Sequence, residues 1–205
     1  MLKTVRPMFT GIITHIGELT SISEGEINIT TTADFANNLN TGASIAANGC
    51  CLTLTQNPAI NHNTATLAFN LSPETIARTT FAGAKPAQKI NLERSARLGD
   101  EIGGHIVTGH IDSTATVTKI TDRDTNRELR LKHKPRLAKL IAEKGAVALN
   151  GVSLTVNSAA RNQFSVMLVP HTLAHTNLGD LRKNDAVNLE TDPLARYVTN
   201  FLSKS

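Results

Sequence analysis

Two adjacent thiols, Cys50 and Cys51, sit in the run Asn48-Gly49-Cys50-Cys51-Leu52-Thr53-Leu54-Thr55, which returns as Asn150-Gly151-Val152-Ser153-Leu154-Thr155-Val156-Asn157. Ser153 thus stands where Cys51 stands in the first copy. Neighbouring cysteines are poorly placed for an ordinary disulfide. They are not the spaced set a metal needs either. An Asn-Gly pair opens a turn into a strand, and strand side chains alternate. Cys50, Leu52 and Leu54 therefore share one side, with Cys51, Thr53 and Thr55 opposite. In the second copy Val152, Leu154 and Val156 oppose Ser153, Thr155 and Asn157. The plain reading of the polar side is a solvated barrel exterior. Such exteriors usually carry Lys, Glu or Arg, whereas these short groups leave room for a flat ligand.

A second constellation is Gly103-Gly104-His105-Ile106-Val107-Thr108-Gly109-His110. Its spacing is not that of a dinucleotide fingerprint and no βαβ pattern surrounds it. It reads as a tight turn into a strand with a bulge at Gly109, or as backbone held close to a ligand. In the second reading His105 or His110 is available for proton transfer near neutral pH. With no third ligand, two histidines do not make a metal site. A third feature also occurs twice: Phe69 to Thr75 and Val166 to Thr172 each run strand, proline, helix start. Free N–H groups there, with Glu74, Thr75, His171 and Thr172, suit a polyhydroxylated tail; ordinary helix capping explains the pattern equally well. Neither a nucleophile–His–Asp triad nor a phosphate loop is visible.

The elements that position these residues come in two sets. Phe9-Thr10-Gly11-Ile12-Ile13 matches Val107-Thr108-Gly109-His110-Ile111, and Asn91-Leu92-Glu93 matches Asn188-Leu189-Glu190. The offset is 98 residues at Thr10, 102 at Asn48 and 97 at Pro73 and Asn91, so the order is kept with small loop changes. A period near a hundred residues is that of a small domain. Six β-like runs are predicted per half: Gly11 to Ile22, Glu26 to Thr32, Ala43 to Ala47, Cys50 to Thr55, Ala65 to Leu71 and Lys89 to Leu92, then Ile106 to Ile120, Glu128 to Lys132, Ala146 to Leu149, Val152 to Asn157, Phe164 to Val169 and Ala186 to Leu189. Closely spaced strands suggest an all-β chain of two small closed barrels, which removes exposed edges. Short helices are predicted after Ser72-Pro73, over Leu137 to Lys144, and over Asp34 to Leu39. A terminal helix, Leu194 to Leu202, is capped by Asp192-Pro193. Its apolar face carries Leu194, Val198, Phe201 and Leu202.

Of the 205 residues 40% are apolar and 19% charged, with one Tyr and no Trp, so the cores must be aliphatic. The net charge of +4 is spread along the chain. The basic stretch Arg127 to Arg136 alternates like a strand with a wet face, and no aromatic platform accompanies it, so nucleic acid is not an expected partner. No apolar run reaches membrane-spanning length, and the basic start MLKTVRP lacks a signal-peptide core. Free thiols without an export signal point to the cytoplasm. The expected organisation is an extension over 1–7, barrels over 8–100 and 101–193, and a helical tail over 194–205.

MFTGII at Met8, NGCCLTLT at Asn48, DEIGGHIVTGHID at Asp100, NGVSLTVN at Asn150 and the two strand–proline–threonine segments together resemble riboflavin synthase of the α-chain type. The resemblance runs in order from Met8 to about Leu202. It implies two six-stranded Greek-key barrels that bind lumazine, and a homotrimer built partly by C-terminal helices. It implies no metal and no organic cofactor, and leaves association with lumazine synthase open. The implied reaction is dismutation of two 6,7-dimethyl-8-ribityllumazine molecules into riboflavin and 5-amino-6-ribitylamino-uracil. The active site would lie between barrels of neighbouring subunits. Carried over, the first site comprises Gly11, Ile12, Ile13, Ser44, Cys50, Cys51, Leu52, Phe69, Asn70, Leu71, Ser72, Pro73 and Glu74. The second comprises Gly109, His110, Ile111, Ser153, Leu154, Thr155, Met167, Leu168, Val169, Pro170, His171 and Thr172. Lys144 would reach the substrate of an adjacent subunit. Cys51, His110, Ser153 and Asp192 are the expected polar participants in catalysis. The rival is a lumazine or flavin carrier that has lost polar features in its second half; here His110, Ser153, Thr155 and Asp192 are all present.

Overall fold

The computed structural model describes residues 7–203, so the extension expected at the N-terminus lies, except for Pro7, outside the described residues. The first half contains β1 (His15–Ser23), β2 (Glu26–Thr32), a single turn α1 (Ala33–Ala36), β3 (Ser44–Ala47), β4 (Cys50–Thr53), β5 (Ala59–Asn61), β6 (Thr64–Asn70), α2 (Pro73–Arg78) and β7 (Lys89–Arg94). The second repeats the plan with β8 (Ser113–Arg123), β9 (Asn126–Lys132), a 3₁₀ turn over Pro135–Leu140, β10 (Ala146–Leu149), β11 (Val152–Ala159), β12 (Gln163–Leu168), α3 (Pro170–His175) and β13 (Ala186–Thr191). Helix α4 (Pro193–Leu202) follows, and Asp192 accepts from Leu194 N at 2.8 Å as its cap. The expected helix at Leu137 is thus a 3₁₀ turn that starts earlier and ends before Lys144, and the one at Asp34 is a single turn.

The second half closes into a six-stranded barrel in the order β10-β11-β12-β9-β8-β13, with β13 returning to β10. The first half curls the same way but is a seven-stranded sheet, β4-β3-β7-β1-β2-β6-β5. The cause is local. The counterpart of the continuous β11 is broken after Thr53, and resumes as β5 only at Ala59. The first copy is five residues longer here, since Asn48 to Pro73 spans 25 positions and Asn150 to Pro170 spans 20. Pro58, which has no N–H to donate, sits in the insertion. Leu54 bridges Phe69, and Thr55 N donates to Ala68 O at 3.0 Å; beyond these contacts β4 and β6 do not form a ladder.

The alternation read from sequence holds. Cys50, Leu52, Leu54, Val152, Leu154 and Val156 are all buried, while Thr53 and Thr55 are exposed and Cys51 and Ser153 half-buried. Each half has its own core, aliphatic except for Phe35, Phe69 and Phe81 in the first and Phe164 in the second. One departure matters. The strands expected from Gly11 and Ile106 begin only at His15 and Ser113. The residues before them cross to the other half. Phe9 and Val107 exchange backbone hydrogen bonds of 2.8 and 3.0 Å. Ile13 packs on the core of the second half, and Ile111 is part of the core of the first.

Candidate functional site

The two Asn-Gly turns meet back to back between the halves. Asn48, Gly49, Asn150 and Gly151 all have positive φ, from 44° to 83°, as the tight hairpin turn of this sequence requires. A Cβ on Gly49 would lie 2.5 Å from Gly151 N, so only glycine lets the turns touch. Buried asparagines tie the halves reciprocally. Asn91 Nδ2 donates to Asn150 O, and Asn188 Nδ2 to Asn48 O, both at 2.9 Å.

Next to this seam, each half presents a Thr-Gly turn held by a buried carboxylate. Glu93 accepts from Thr10 N at 2.6 Å, Thr10 Oγ1 at 2.8 Å and Gly11 N at 3.1 Å. Glu190 accepts from Thr108 N at 2.8 Å, Thr108 Oγ1 at 2.6 Å and Gly109 N at 2.9 Å. Burial pushes both carboxyls above their usual range, and these donors pull the other way. Both glycines have φ of +76° and each lies against the other half's polar strand face. Ser153 N donates to Gly11 O at 2.8 Å, and Cys51 N to Gly109 O at 2.9 Å. The sequence grouping put Gly11 with Cys51 and Gly109 with Ser153. Within this chain the partners are exchanged, because residues 9–13 and 107–111 cross between halves.

The two places differ in chemistry. His105 Nδ1 lies 2.7 Å from Ser153 Oγ, and His105 Nε2 is buried without a hydrogen-bond partner. Burial depresses His105 below its ordinary 6.5, against the opposing pull of the nearby Asp192 charge. The neutral ring can accept the Ser153 proton at Nδ1, which leaves a buried, unpartnered Nε2–H on its far side. At the other place burial pushes Cys50 up to about 12. It pushes Cys51 up as well, with the Ser44 hydroxyl pulling down and Glu190 adding to the rise. Both thiols are protonated at neutral pH, so Cys51 offers no resting thiolate. It opens onto a cleft of about 320 Å³ with Glu74, Thr75, Arg78, His110, Asp112 and Arg196. A cleft of about 500 Å³ lies by Thr10, Ile12, Glu93 and Gly103.

The strand–proline–helix segments answer the question of capping half by half. Ser72 accepts from Thr75 N at 3.1 Å and caps α2. At α3 Val169 takes that place and no side chain caps the helix. His171 and His175 stack there at 4.2 Å.

The lumazine binding domain family matches this chain twice, over residues 10–95 and 108–192. Riboflavin synthase of Brucella abortus (strain 2308) is 42% identical over 93% of this chain and 96% of its own length. This chain belongs to the riboflavin synthase family. The solved LumP structures share its fold: the riboflavin complex superposes with a TM-score of 0.77 at 27% identity, and the 6,7-dimethyl-8-(1'-D-ribityl) lumazine complex with 0.74 at 26%. Each covers 89% of this chain and 98% of its own.

The positions that match the family motifs divide by burial. Ile12, Asn70, Ser72, Pro73, Glu74, His110, Thr155, Val169, Pro170 and His171 are exposed. Ile13, Ser44, Met167, Thr172 and Asp192 are half-buried. Phe69, Leu71, Leu52, Ile111, Leu154 and Leu168 are buried and belong to the cores. Lys144 is exposed in a left-handed turn at φ 64°. Its counterpart is Gly42, at φ 88°. Sequence reasoning named His105 but did not pair it with Ser153. It noted the Asn-Leu-Glu repeat without seeing that Glu93 and Glu190 anchor the Thr-Gly turns; a buried acid repeated at fixed register was the available signal.

Proposed function

We propose that this chain transfers a four-carbon unit between two molecules of 6,7-dimethyl-8-ribityllumazine, giving riboflavin and 5-amino-6-ribitylamino-uracil. The observation that carries the reading is the Ser153–His105 pair at 2.7 Å, set beside one Thr-Gly turn while Cys51 sits beside the other. The 7-methyl protons of the lumazine are acidic because the ring delocalises the anion. Most of the catalysis is therefore placement of two rings, worth roughly 7–11 kcal/mol of barrier in favourable cases. Cys51 and Ser153, with the Thr-Gly turns, are the ring-facing groups. Neutral His105 takes a proton through Ser153 or returns one to the leaving aminouracil. His110 and Asp192 are the further proton-handling groups, and Glu74, Thr75, His171 and Thr172 hold the ribityl tails.

The reading extends to assembly. Leu194, Tyr197, Val198, Phe201 and Leu202 of α4 are 58–74% exposed, a face suited to subunit contact in a homotrimer. A non-glycine residue in a left-handed turn carries strain of roughly 1–2 kcal/mol. Lys144 bears that strain where the first half uses Gly42, which supports a role for its ammonium at a neighbouring subunit's substrate. The cytoplasm is the proposed location.

The deciding experiment incubates the purified chain with the lumazine alone. Riboflavin should appear together with the aminouracil, one of each per two lumazines consumed. Binding without turnover would make the protein a carrier and not an enzyme. Absence of binding would overturn both ligand readings.

A further inference from the structure

The crossing segment that reaches Cys51 is held by charged side chains at both ends, its counterpart at only one. At the near end Glu190 accepts from Thr108 and Gly109, as Glu93 accepts from Thr10 and Gly11. The far ends differ. In the first half Thr14 N and Oγ1 turn back to the Leu92 carbonyl, at 3.1 and 3.4 Å. In the second, 98 positions on, Asp112 repeats the backbone bond, N to Leu189 O at 3.0 Å, and adds a carboxylate. Its Oδ2 accepts from Thr191 N and Oγ1 at 2.9 and 2.8 Å. Arg196 Nη2 donates to Oδ1 and Oδ2 at 3.0 and 3.1 Å. The Asp112 carbonyl takes Arg136 at 2.7 Å and, more weakly, Arg78 at 3.4 Å.

Arg196 comes from α4, which belongs to neither repeat: β7 leads to β8 with no helix between them among the described residues. The pair is sheltered, with the Asp112 side chain 12% exposed. Two observations make it more than an anchor for the helix. Arg196, Asp112, Gly109, His110 and Cys51 line one cleft, and Cys51 N donates to Gly109 O. Asp112 also acts on the near end of the segment: burial pushes Glu190 up, and the like charge of Asp112 adds to it. By neutralising Asp112, Arg196 therefore steadies both ends at once. Leaving such a sheltered carboxylate without its partner is costly.

We propose that Arg196 is a positioning residue: through Asp112 it fixes segment 108–112, and with it the Gly109–His110 wall of the Cys51 cleft, in place for the transfer between two rings. The role in transfer rests on the reaction proposed above; the clamp itself rests on the geometry alone. It gives the Cys51 place a brace from outside the duplicated fold that the Ser153 place lacks at the matching position, Thr14.

The test compares the full chain with Arg196→Gln, Arg196→Lys and the double variant Arg196→Gln/Asp112→Asn. Amide exchange carries an internal control, because the two turns share one backbone pattern. In Arg196→Gln the amides of Cys51 and Gly109 should exchange about tenfold faster, and those of Ser153 and Gly11 should not change. Arg196→Lys keeps the charge and should restore most of the protection. The double variant removes the stranded carboxylate, so its exchange at Gly109 should be slower than in Arg196→Gln alone. In steady-state assays with the lumazine, Arg196→Gln should lower kcat about tenfold with KM within about twofold, as lost placement does. Unchanged exchange at Cys51 and Gly109, or a rise shared equally by Ser153 and Gly11, overturns the proposal. So does a loss of kcat that follows a smaller sedimenting mass, since α4 would then act through assembly. If the unaltered chain converts no lumazine, the reading of the reaction has failed, and the exchange contrast alone upholds or sinks the clamp.

Discussion

Cys51 and Ser153 hold the same position in two copies of one fold, yet they face different worlds. Both donate their backbone N–H to the carbonyl of a Thr-Gly turn that has crossed from the other half. Both turns are pinned by a buried glutamate in the same way. The side chains diverge. Ser153 meets His105, whereas the residue 98 positions before His105 is Pro7, which has no ring nitrogen to offer. Cys51 keeps its proton through burial. Duplication thus supplied identical backbone platforms, and the difference lies in a few groups around them. That is what a reaction between two identical substrates needs if one is to lose carbon and the other to gain it.

The largest test of the comparison is kinetic. Ser153→Ala and His105→Ala should each lower kcat by about 100-fold or more, as loss of acid–base help does. Cys51→Ser should cost less than about tenfold, because no thiolate is present to lose. Equal losses at Cys51 and Ser153 would erase the asymmetry. The pH profile adds a sign. Since His105 titrates below its ordinary 6.5, its neutral form persists at pH 7. Activity should fall only as pH drops below that value. The same depressed group makes a stability contribution that is present above pH 6.5 and lost as pH falls through the folded-state value. His105→Asn should remove the acid limb of the rate profile.

What could be read in advance, and what could not, follows from the range of each interaction. Strand identity and core faces were legible because Cys50, Leu52, Leu54 and their counterparts alternate locally. The caps at Ser72 and Asp192 are equally local signals. The crossing of residues 9–13 and 107–111 was not legible: apolar Ile13 and Ile111 announce burial, but not in which core. The five extra residues after Asn48 were visible as a change of offset, yet their effect on the ladder depended on where β6 lies. His105 and Ser153 are 48 positions apart, and only folding brings them together.

A medium-sized test exploits Lys144 against Gly42, where one half accepts backbone strain and the other avoids it. Lys144→Gly should relieve the left-handed strain and raise stability by about 0.5–1 kcal/mol net of glycine's chain entropy. The ratio kcat/KM should fall at the same time, with the loss concentrated in KM if the ammonium only holds substrate. Thermal unfolding and steady-state rates on the same preparation check both halves of the claim. Gained stability with unchanged rates would leave the strain without a functional purpose.

The smallest effect concerns the seam of the first half. In the second half β11 and β12 pair along the strand, with Val156 opposite Val166 and Ala159 opposite Phe164. In the first, the corresponding edge is interrupted between Thr55 and Ala59: the Leu54–Phe69 bridge and Thr55 N on Ala68 O lie on one side of the gap, and β5–β6 pairing, with Ala59 opposite Thr66, on the other. An interruption in the ladder lowers the free energy of local opening beside it. Thr55 and its neighbours should therefore exchange amide hydrogen faster than Val156 to Ala159 by about tenfold, near 1.4 kcal/mol. The seam ends at Phe69, directly before the segment that leads to Glu74 and Thr75 at the Cys51 cleft. An opening there loosens the mouth of the Cys51 cleft and leaves β11 intact. If lumazine is then added, protection should rise more at the Thr55 seam than at β11. Matching exchange rates in the two halves would show that the broken strand is a packing detail, and that the asymmetry of the molecule lives only in the side chains around Cys51 and Ser153.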